Sequence, residues 1–341
     1  MPPPRGSTKD RGVTGQQVAD RAGVSVSAVS RAFTPGASVA PVTRNKVLKT
    51  ARAMGYQPNV LARSLMTGRT ELIGLVSNNF NNPAFMDIFD LFTRGLQDRG
   101  LRPLLANLSG NSDPDKAIAM LRQYNVDAVI VASSTVLPAF IEGCLAAHIP
   151  LVHAFGKTTD RHRKHVVGAD NVQGGKLAAQ ILLEHDYRHI AFLGGPRSAS
   201  STADRLRGFR AGLKDKGLAP AIEVFAPHYS HEDGRQMMRL LLPDAKIEAV
   251  FCGDDILAMG ALDACKEGGR SVPDDIGIIG FNDIAMASWA AYDLSTIRQP
   301  IAKIIVAAVE LSIKLVADRR MPAEARLFTC EPVLRRTLRR A

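Results

Sequence analysis

The chain has 341 residues, a formal net charge of +10 and 46% hydrophobic residues. That length exceeds one ordinary domain and suits two or three, and the apolar content is enough to fill large cores. No apolar run approaches the roughly 18 residues that a membrane span needs. The opening MPPPRGSTKDRG also lacks the apolar core of a signal peptide. The sequence therefore argues against a membrane protein and predicts a cytoplasmic one, with no membrane partner.

The positive charge is concentrated near the N-terminus. Residues 1–70 hold eleven Lys and Arg against Asp10 and Asp20, a local balance of +9 out of the +10 of the whole chain. The rest of the chain is nearly neutral. A basic head on a neutral body is typical of a protein that meets nucleic acid or an anionic membrane surface.

Neither the cysteines nor the histidines predict a metal or cofactor. The cysteines lie far apart without CxxC spacing, which favours buried, reduced thiols; they are Cys144, Cys252, Cys265 and Cys330. Six of the eight histidines are interleaved with basic residues or lack a ligand set, so we expect them in solvated loops; these six are His162, His165, His185, His189, His228 and His231.

Two short helices joined by a tight turn are predicted near the N-terminus. Thr14 can cap a helix that runs through Arg21, and Ser25 can cap a second one that runs through Phe33, with Gly23 in the turn between them. This is the helix-turn-helix pattern. A third helix follows from Thr43 to Met54.

The second helix carries a face of small hydroxyls and one guanidinium. Its members are Ser25, Val26, Ser27, Ser30 and Arg31. A helix that enters the major groove needs short side chains for close approach and donors for phosphates and base edges. The alternative is the solvated face of an ordinary helix, and the +9 charge of the segment favours DNA contact.

The stretch YQPNVLARSLMTGRT predicts one more helix, from Pro58 and Asn59 to Thr67. Its length of about eight residues is below the roughly 12–15 at which an isolated helix is stable in water. We therefore expect this segment to be coil until something stabilises it.

From Glu71 onward, apolar strands alternate with amphipathic helices, which indicates parallel sheets covered on both faces. One series of strands is LIGLV at 72, RPLLAN at 102, AVIVA at 128 and PLVHA at 150; the other is HIAFLGG at 189, IEVFA at 222, AVFCG at 249 and IGIIGF at 276. Two series imply two lobes. A further strand-like stretch (LSTIRQ), a long helix and ARLFTCEPVLRRT, expected as one last strand, complete the chain.

Several of these segments resemble the LacI/GalR family of transcriptional regulators, in order and over nearly the whole chain after the first residues. They are VADRAGVSVSAVSRAF, VLKTARAMGYQPNVLARSLMTGRTELIGLV, DNVQGGKLAAQILLEHDYRHIAFLGGP, RLRGFRAGL, FCGDDILAMGAL and VPDDIGIIGFNDI. The resemblance implies an N-terminal all-α helix-turn-helix head with a hinge helix, followed by a C-terminal α/β core of two lobes that is similar to periplasmic binding proteins. The expected parts are a disordered basic tail (1–12), the helix-turn-helix domain (13–58), the hinge helix and linker (59–70) and the core (71–341). Within the core we expect lobes at 71–168 plus 298–325 and at 169–297 plus 326–341.

The resemblance also implies which residues contact DNA. Besides the face of the second helix they are Thr14, Thr43, Tyr56, Asn59, Ala62 and Leu65. Leu65 stands where the family has a leucine that enters the minor groove, and an apolar wedge between base steps kinks the duplex. In the alternative interpretation, Leu61 and Leu65 dock against the body instead.

For the effector, the resemblance implies contacts in the cleft between the lobes, at the carboxyl ends of strands. The expected residues are Asn82, Phe85, Phe155, Arg205, Tyr229, Asp254 and Asn282. Aromatic faces that can stack on a ring, together with polar groups that bind hydroxyls or an acid, favour a sugar or sugar acid. The chain departs from the family at Phe155, where many relatives carry an acidic residue, and at Asp254, where asparagine is common.

The resulting hypothesis is a homodimeric repressor that binds double-stranded operator DNA and is controlled by a small molecule. Two hypotheses from other classes remain open. A solute-binding protein for a transporter would share the two lobes, and an enzyme acting on a sugar would show turnover without residues 1–70.

Overall fold

The computed structural model describes residues 12–340 except 35, 58–63, 65–67, 81, 111, 136–137 and 157–163. The chain divides into two compact units, Met1–Thr70 and Glu71–Ala341. The expected basic tail and most of the expected hinge helix lie outside the described residues.

The first unit contains three described helices, α1 (Gly15–Ala22), α2 (Val26–Phe33) and α3 (Pro41–Met54). Thr14 caps α1 by a capping box with Gln17, and Gly23 ends it at a φ of 60°, a conformation that glycine adopts at no steric cost. The helix-turn-helix is therefore present with the caps that the sequence predicted. Helix α3 begins at Pro41, two residues before the expected start, because proline suits the first position of a helix.

A small apolar core holds these helices together. It consists of Val18, Ala19, Ala22, Val29, Ala32, Val47 and Ala51. Arg44 adds two hydrogen bonds: its guanidinium donates to the carbonyls of Ala32 at 2.8 Å and Ala37 at 2.9 Å. This arginine fixes α3 to the end of α2, so its charge is engaged in the fold.

The second unit is built on two sheets. The first sheet contains β1 (Leu72–Ser77), β2 (Arg102–Asn107), β3 (Ala128–Ala132), β4 (Leu151–Ala154), β5 (His165–Ala169) and β11 (Ala325–Phe328), in the order β11-β5-β4-β3-β1-β2. The second contains β6 (Ile190–Gly194), β7 (Glu223–Phe225), β8 (Ala249–Cys252), β9 (Gly277–Asn282), β10 (Ser295–Arg298) and β12 (Glu331–Val333), in the order β12-β10-β9-β8-β6-β7. The described pairs are parallel except β10 with β12, which is antiparallel. We call the part built on the first sheet the first lobe and the other the second lobe.

Helices cover the faces of both sheets. The first lobe has α4 (Ala84–Gln97), α5 (Pro114–Gln123), α6 (Pro138–Ala146) and α11 (Ile301–Ala317). The second has α7 (Asn171–Glu184), α8 (Ser200–Lys214), α9 (His231–Leu241) and α10 (Asp255–Glu267). The inner strands of both sheets are buried almost throughout, as parallel strands covered on both faces must be, whereas the outermost strands β2, β7, β11 and β12 are mostly half-buried or exposed. The four cysteines are free and buried, as predicted.

The chain passes from one lobe to the other after β5, after β10 and after β11. The last of these passages corrects a prediction: ARLFTCEPVLRRT is not one strand but β11 and β12, which belong to different sheets. Cys330 lies between them, and its N–H donates to the side chain of Gln173 at 2.9 Å, which fixes the passage. Residues 326–328 accordingly lie in the first lobe, not in the second as expected.

The prediction for His165 was wrong. It begins β5, is only 8% exposed and lies in the sheet, not in a solvated loop. Strand β5 lies between β4 and β11, and the N–H of Val166 donates to Glu324 at 2.9 Å, so neighbours cover this strand on both edges. Burial lowers the pKa of His165. The preceding His162 lies outside the described residues.

Other histidines are also less solvated than expected. His231 is half-buried at the start of α9 and lies 2.8 Å from the carboxylate of Asp263. His185 is half-buried and hydrogen-bonds the carbonyl of Arg339, and His189 is half-buried as well. Only His228 of this set is exposed in the described part of the chain. Tertiary contacts that no local pattern encodes account for the difference.

Candidate functional site

Helix α2 presents one polar face outward and one apolar face inward. Ala28, Val29 and Ala32 are buried against α1 and α3. On the opposite face Ser25, Val26, Ser27 and Arg31 are exposed and Ser30 is half-buried. The Ser25 hydroxyl accepts from the N–H of Ala28 at 3.2 Å and lies 2.9 Å from the Ser27 hydroxyl. The outward face therefore carries small hydroxyls, the exposed Val26 and one long side chain, Arg31.

The other residues proposed for DNA contact differ in exposure. Thr14 is exposed at the start of α1, and Thr43 is half-buried in the first turn of α3. The ring of Tyr56 packs edge-on against Phe33 at 5.6 Å between centroids, so most of this ring supports the core. Asn59, Ala62 and Leu65 lie outside the described residues.

A cavity of about 260 Å³ lies between the two lobes of the second unit. Its lining includes every residue that the sequence analysis proposed for effector contact: Asn82, Phe85, Phe155, Arg205, Tyr229, Asp254 and Asn282. These residues come from both lobes and lie at or just beyond strand ends, or near the start of α8. The carboxyl edges of parallel sheets converge at such a cleft, which explains how separate loops assemble one site.

Asp254 is the central acceptor of the cavity. Its Oδ1 accepts from the N–H of Ile256 at 3.0 Å, which caps α10. Its Oδ2 accepts from the side-chain amides of Asn282 at 2.9 Å and Asn82 at 3.3 Å. Asn82 belongs to the first lobe and Asp254 to the second, so this contact joins the lobes directly. Burial raises the pKa of Asp254, although Arg205 and the amide donors act in the opposite direction.

Arg205 is the buried cation of the same cavity. Its Nε donates to the Asn171 side-chain oxygen at 2.9 Å, and its Nη1 donates to the carbonyl of Gly253. The guanidinium carbon lies 3.7 Å from the ring centroid of Phe281, a cation–π geometry. Burial lowers the pKa of Arg205, with nearby acidic groups, Asp254 among them, opposing the shift.

Tyr229 belongs to a hydroxyl network that also spans the lobes. Its hydroxyl lies 3.0 Å from that of Ser201 and 2.9 Å from that of Thr202. The Ser201 hydroxyl in turn donates to the Ser134 hydroxyl of the first lobe at 3.0 Å. A side chain at Gly195 would come within 2.1 Å of the Tyr229 ring, so this position needs glycine to let the ring lie flat.

The opposite wall is apolar and partly aromatic. Phe85 and Phe155 meet at 6.5 Å between ring centroids with their planes at 67°. Ile88, Leu91 and Ile301 extend this wall. The cavity thus combines an apolar surface from the first lobe with charged and amide groups that come mainly from the second.

Three lining residues have backbone conformations that side chains disfavour. The φ angles are 66° at Phe155, 127° at Asn282 and 59° at Asp283. Asp283 is fixed by Arg298 at 2.6 Å and Arg335 at 2.8 Å, and the next N–H, of Ile284, donates to Asp255 at 2.9 Å. Strained backbone concentrates at functional sites, where the surroundings hold it in place.

Sequence reasoning missed several lining residues. Asn171, Ser134, Ser201 and Gln299 all line the cavity. Asn171 follows β5, a strand that the sequence analysis did not place. Asp283 also lines it; this residue directly follows β9, so its place at a strand end was a signal that could have found it.

The comparisons with known proteins agree with this architecture. The model of bacterial regulatory proteins of the lacI family matches residues 14–59, and that of the periplasmic binding protein-like domain matches residues 179–338. The HTH-type transcriptional repressor PurR of Edwardsiella ictaluri (strain 93-146) is 30% identical over 313 residues, which covers 91% of this chain and 92% of that protein. The chain belongs to the LacI family.

Solved structures of other LacI-family proteins share the fold. The lac repressor dimer bound to operator and the anti-inducer ONPF has a TM-score of 0.85 at 24% identity, and the match covers 97% of this chain and 100% of that one. The complex of the transcriptional regulator CelR with cellobiose has a TM-score of 0.73 at 25% identity, and covers 95% of this chain and 99% of that one.

Membership in the LacI family settles the protein's general class. The protein is a DNA-binding transcriptional repressor with a ligand-binding domain, since regulators and not enzymes make up this family. The hypotheses of a transport protein and of a sugar enzyme are thereby set aside. Among the described helices, none is long and apolar enough to cross a membrane.

Proposed function

We propose that the protein represses transcription as a homodimer on a near-palindromic operator, and that a small effector between the lobes controls the binding. The exposed face of α2 carries this proposal: small hydroxyls around Arg31, on a compact unit whose segment has a net charge of +9. Each protomer would place α2 in the major groove of one half-site. Residues 13–58 would be the DNA-binding domain and 59–70 the hinge helix, with Asn59, Ala62 and Leu65 in the minor groove.

Short side chains allow the axis of α2 to approach the base edges. Ser25 and Ser27 have hydroxyls that can donate to phosphates or bases, and Val26, which is 44% exposed, can contact a thymine methyl group. Arg31 is exposed and can form a bidentate contact with guanine or a phosphate. Thr14, Thr43 and Tyr56 would contact the backbone of the duplex around this helix.

Replacing Arg31 with alanine tests this surface. We expect Arg31→Ala to weaken operator binding by about 1–3 kcal/mol, because a base or phosphate contact is lost without harm to the core. An operator selected from random duplexes with the full-length protein, followed by fluorescence anisotropy at fixed salt, gives the affinities.

The control for Arg31→Ala is Arg122→Ala, which removes an equally exposed arginine from α5 in the second unit. This variant should bind the operator like the parent. Equal affinities of Arg31→Ala and the parent would remove Arg31 from the interface, and a protein that prefers no duplex over another would overturn the proposed function.

For the effector, the cavity supports a compact ring compound. Its volume of about 260 Å³ is near the lower end of ligand pockets, about 300–1,000 Å³. Phe85 and Phe155 offer flat surfaces, while Arg205, Asp254 and Asn282 offer polar groups. A sugar or sugar acid can place its ring against the aromatic surfaces and its hydroxyl or acid groups against the polar side chains. The cellobiose complex of CelR supports a sugar ligand in this fold.

Effector binding would act through the contacts between the lobes. Asn82 with Asp254 and Ser134 with Ser201 are hydrogen bonds from one lobe to the other across the cavity. A ligand that replaces or reinforces them changes the preferred angle between the lobes. By linkage, DNA and effector then alter each other's affinity by the same factor.

A further inference from the structure

The cavity contains two buried charges of opposite sign, Arg205 at 5% and Asp254 at 4% exposure. Within the described part of the chain, neither forms an ion pair with a side chain. Arg205 donates to an amide oxygen and a carbonyl, and Asp254 accepts only from amide groups. Buried charges are normally paired, because removing a charge from water without a partner is costly.

Asp254 has two structural contacts. It caps α10 through the N–H of Ile256, which a neutral asparagine can also do, and its other oxygen accepts from Asn282 and Asn82. An ionised carboxylate accepts about four hydrogen bonds, of which three are taken here. The Asp254 carboxylate can therefore accept one more hydrogen bond, and Asp254 lines the cavity. Its contact from Asn82, at 3.3 Å, is the longest of the three.

Resting on the proposed function, we propose that Asp254 is a specificity-determining residue that binds a cationic amino group of the effector. An ammonium group supplies a hydrogen-bond donor and a positive charge in direct contact with the carboxylate, in addition to the more distant charge of Arg205. Arg205 then accommodates an acid or hydroxyl of the same molecule. The amino group can belong to an amino sugar or to an amino acid.

The surroundings of Asp254 set the sign of its pH dependence. The groups that face it are Arg205 on α8, Tyr229, Cys252 on β8 and its neighbour Asp255. Asp87 of the first lobe also lines the cavity. Burial raises the pKa of Asp254 above its unfolded value. A raised pKa means that ionisation destabilises the fold, so stability falls as the pH rises through the folded pKa.

The first experiment needs no ligand. The melting temperatures of the full-length parent protein and of Asp254→Asn are measured over a series of pH values from acidic to mildly alkaline. We expect the melting temperature of the variant, relative to that of the parent, to rise with pH, because Asp255 titrates in both proteins and Asp254 only in one. A relative melting temperature that is constant or falls with rising pH would contradict a buried charge at Asp254.

The second experiment compares matched compounds in which a hydroxyl replaces the amino group: glucosamine with glucose, galactosamine with galactose, and phenylalanine with phenyllactate. Isothermal titration should show at least one amine binding about tenfold or more tightly than its hydroxyl partner, and Asp254→Asn should abolish that preference. The pairs distinguish an amino sugar from an amino acid. Asp90→Asn, an exposed carboxylate outside the cavity, should retain the preference.

Equal or tighter binding of the hydroxyl partners, an amine preference that persists in Asp254→Asn, or no amine binding at all would overturn the proposal. Operator binding, measured in the same samples, separates this failure from that of the proposed function. Selective DNA binding without any amine preference contradicts only the role of Asp254.

Discussion

Asp283 anchors the strained turn that brings Asn282 into the cavity. Its carboxylate is 9% exposed and accepts from Arg298, at the end of β10, and from Arg335, after β12. Asn282 keeps its φ of 127° while its amide donates to Asp254 and its oxygen accepts from Gln299. Two arginines from distant parts of the chain thus help to determine the position of one amide that lines the cavity.

Removing this anchor should destabilise the second unit. We expect Asp283→Ala to lower the free energy of unfolding by about 2–3 kcal/mol, because it leaves the partly buried Arg335 without its carboxylate partner. Arg298 also loses this partner, but half of its side chain is exposed, so water can solvate its charge at a smaller loss of stability. Urea denaturation of the full chain measures it. Asp90→Ala, which breaks an exposed pair with Arg94 on α4, should change stability by less than about 0.5 kcal/mol. Similar losses in both variants would refute the anchor.

Sequence reasoning located single residues of the cavity better than their contacts. Each of the seven proposed residues lines it, because the family resemblance located these positions in the sequence. The pairing of Asp283 with Arg335 was not readable, since 52 positions separate them. The unpaired state of Asp254 likewise depends on which side chains surround it in space.

Helices α7 and α8 pack so closely that glycine is required at their crossing. An added Cβ at Gly208 would lie 1.9 Å from the carbonyl oxygen of Val172, and one at Gly175 would lie 2.0 Å from that of Arg205. This approach brings Asn171 at the start of α7 against Arg205 on α8. The spacing of the helices therefore also sets the position of the buried cation.

Gly208→Ala should force the two helices apart. We expect a loss of about 1–3 kcal/mol in unfolding free energy, since overpacking against backbone cannot be relieved by a side-chain rotation. Gly95→Ala in α4 is the matched control: its new methyl group would meet Val309 at an ordinary 3.8 Å. That variant should be stabilised by about 0.5–1 kcal/mol through helix propensity. Chemical denaturation measures the unfolding free energy of both variants. An unchanged unfolding free energy in Gly208→Ala would contradict the close packing.

Elements with strong local signals were predictable, and those defined by distant partners were not. The strands of the two predicted series are present within two residues of their expected starts, because buried parallel strands are continuous apolar runs. Strand β5 was missed since its sequence follows the basic stretch DRHRKH and its burial depends on β4 and β11. The chain passes from the first lobe to the second between β11 and β12, and the local sequence does not indicate this passage.

At the scale of the whole molecule, the two units have different tasks and charges. The basic first unit is small and recognises few base pairs, so a single copy would bind DNA weakly and in a salt-dependent manner. Two copies on one duplex multiply their affinities if their spacing fits the two half-sites. The proposed homodimer supplies that spacing. If effector binding in the second unit changes the spacing, it changes the affinity for DNA.

The spacing of the half-sites tests the homodimer directly. Inserting 5 base pairs at the centre of the selected operator, about half a helical turn, rotates one half-site to the opposite side of the duplex. A dimer of fixed geometry can then engage only one half-site at a time, so we expect binding to weaken by at least about tenfold. The same insertion placed outside the operator should have no effect in the anisotropy titration. If the central insertion is also without effect, each head binds independently and the dimeric mechanism is wrong.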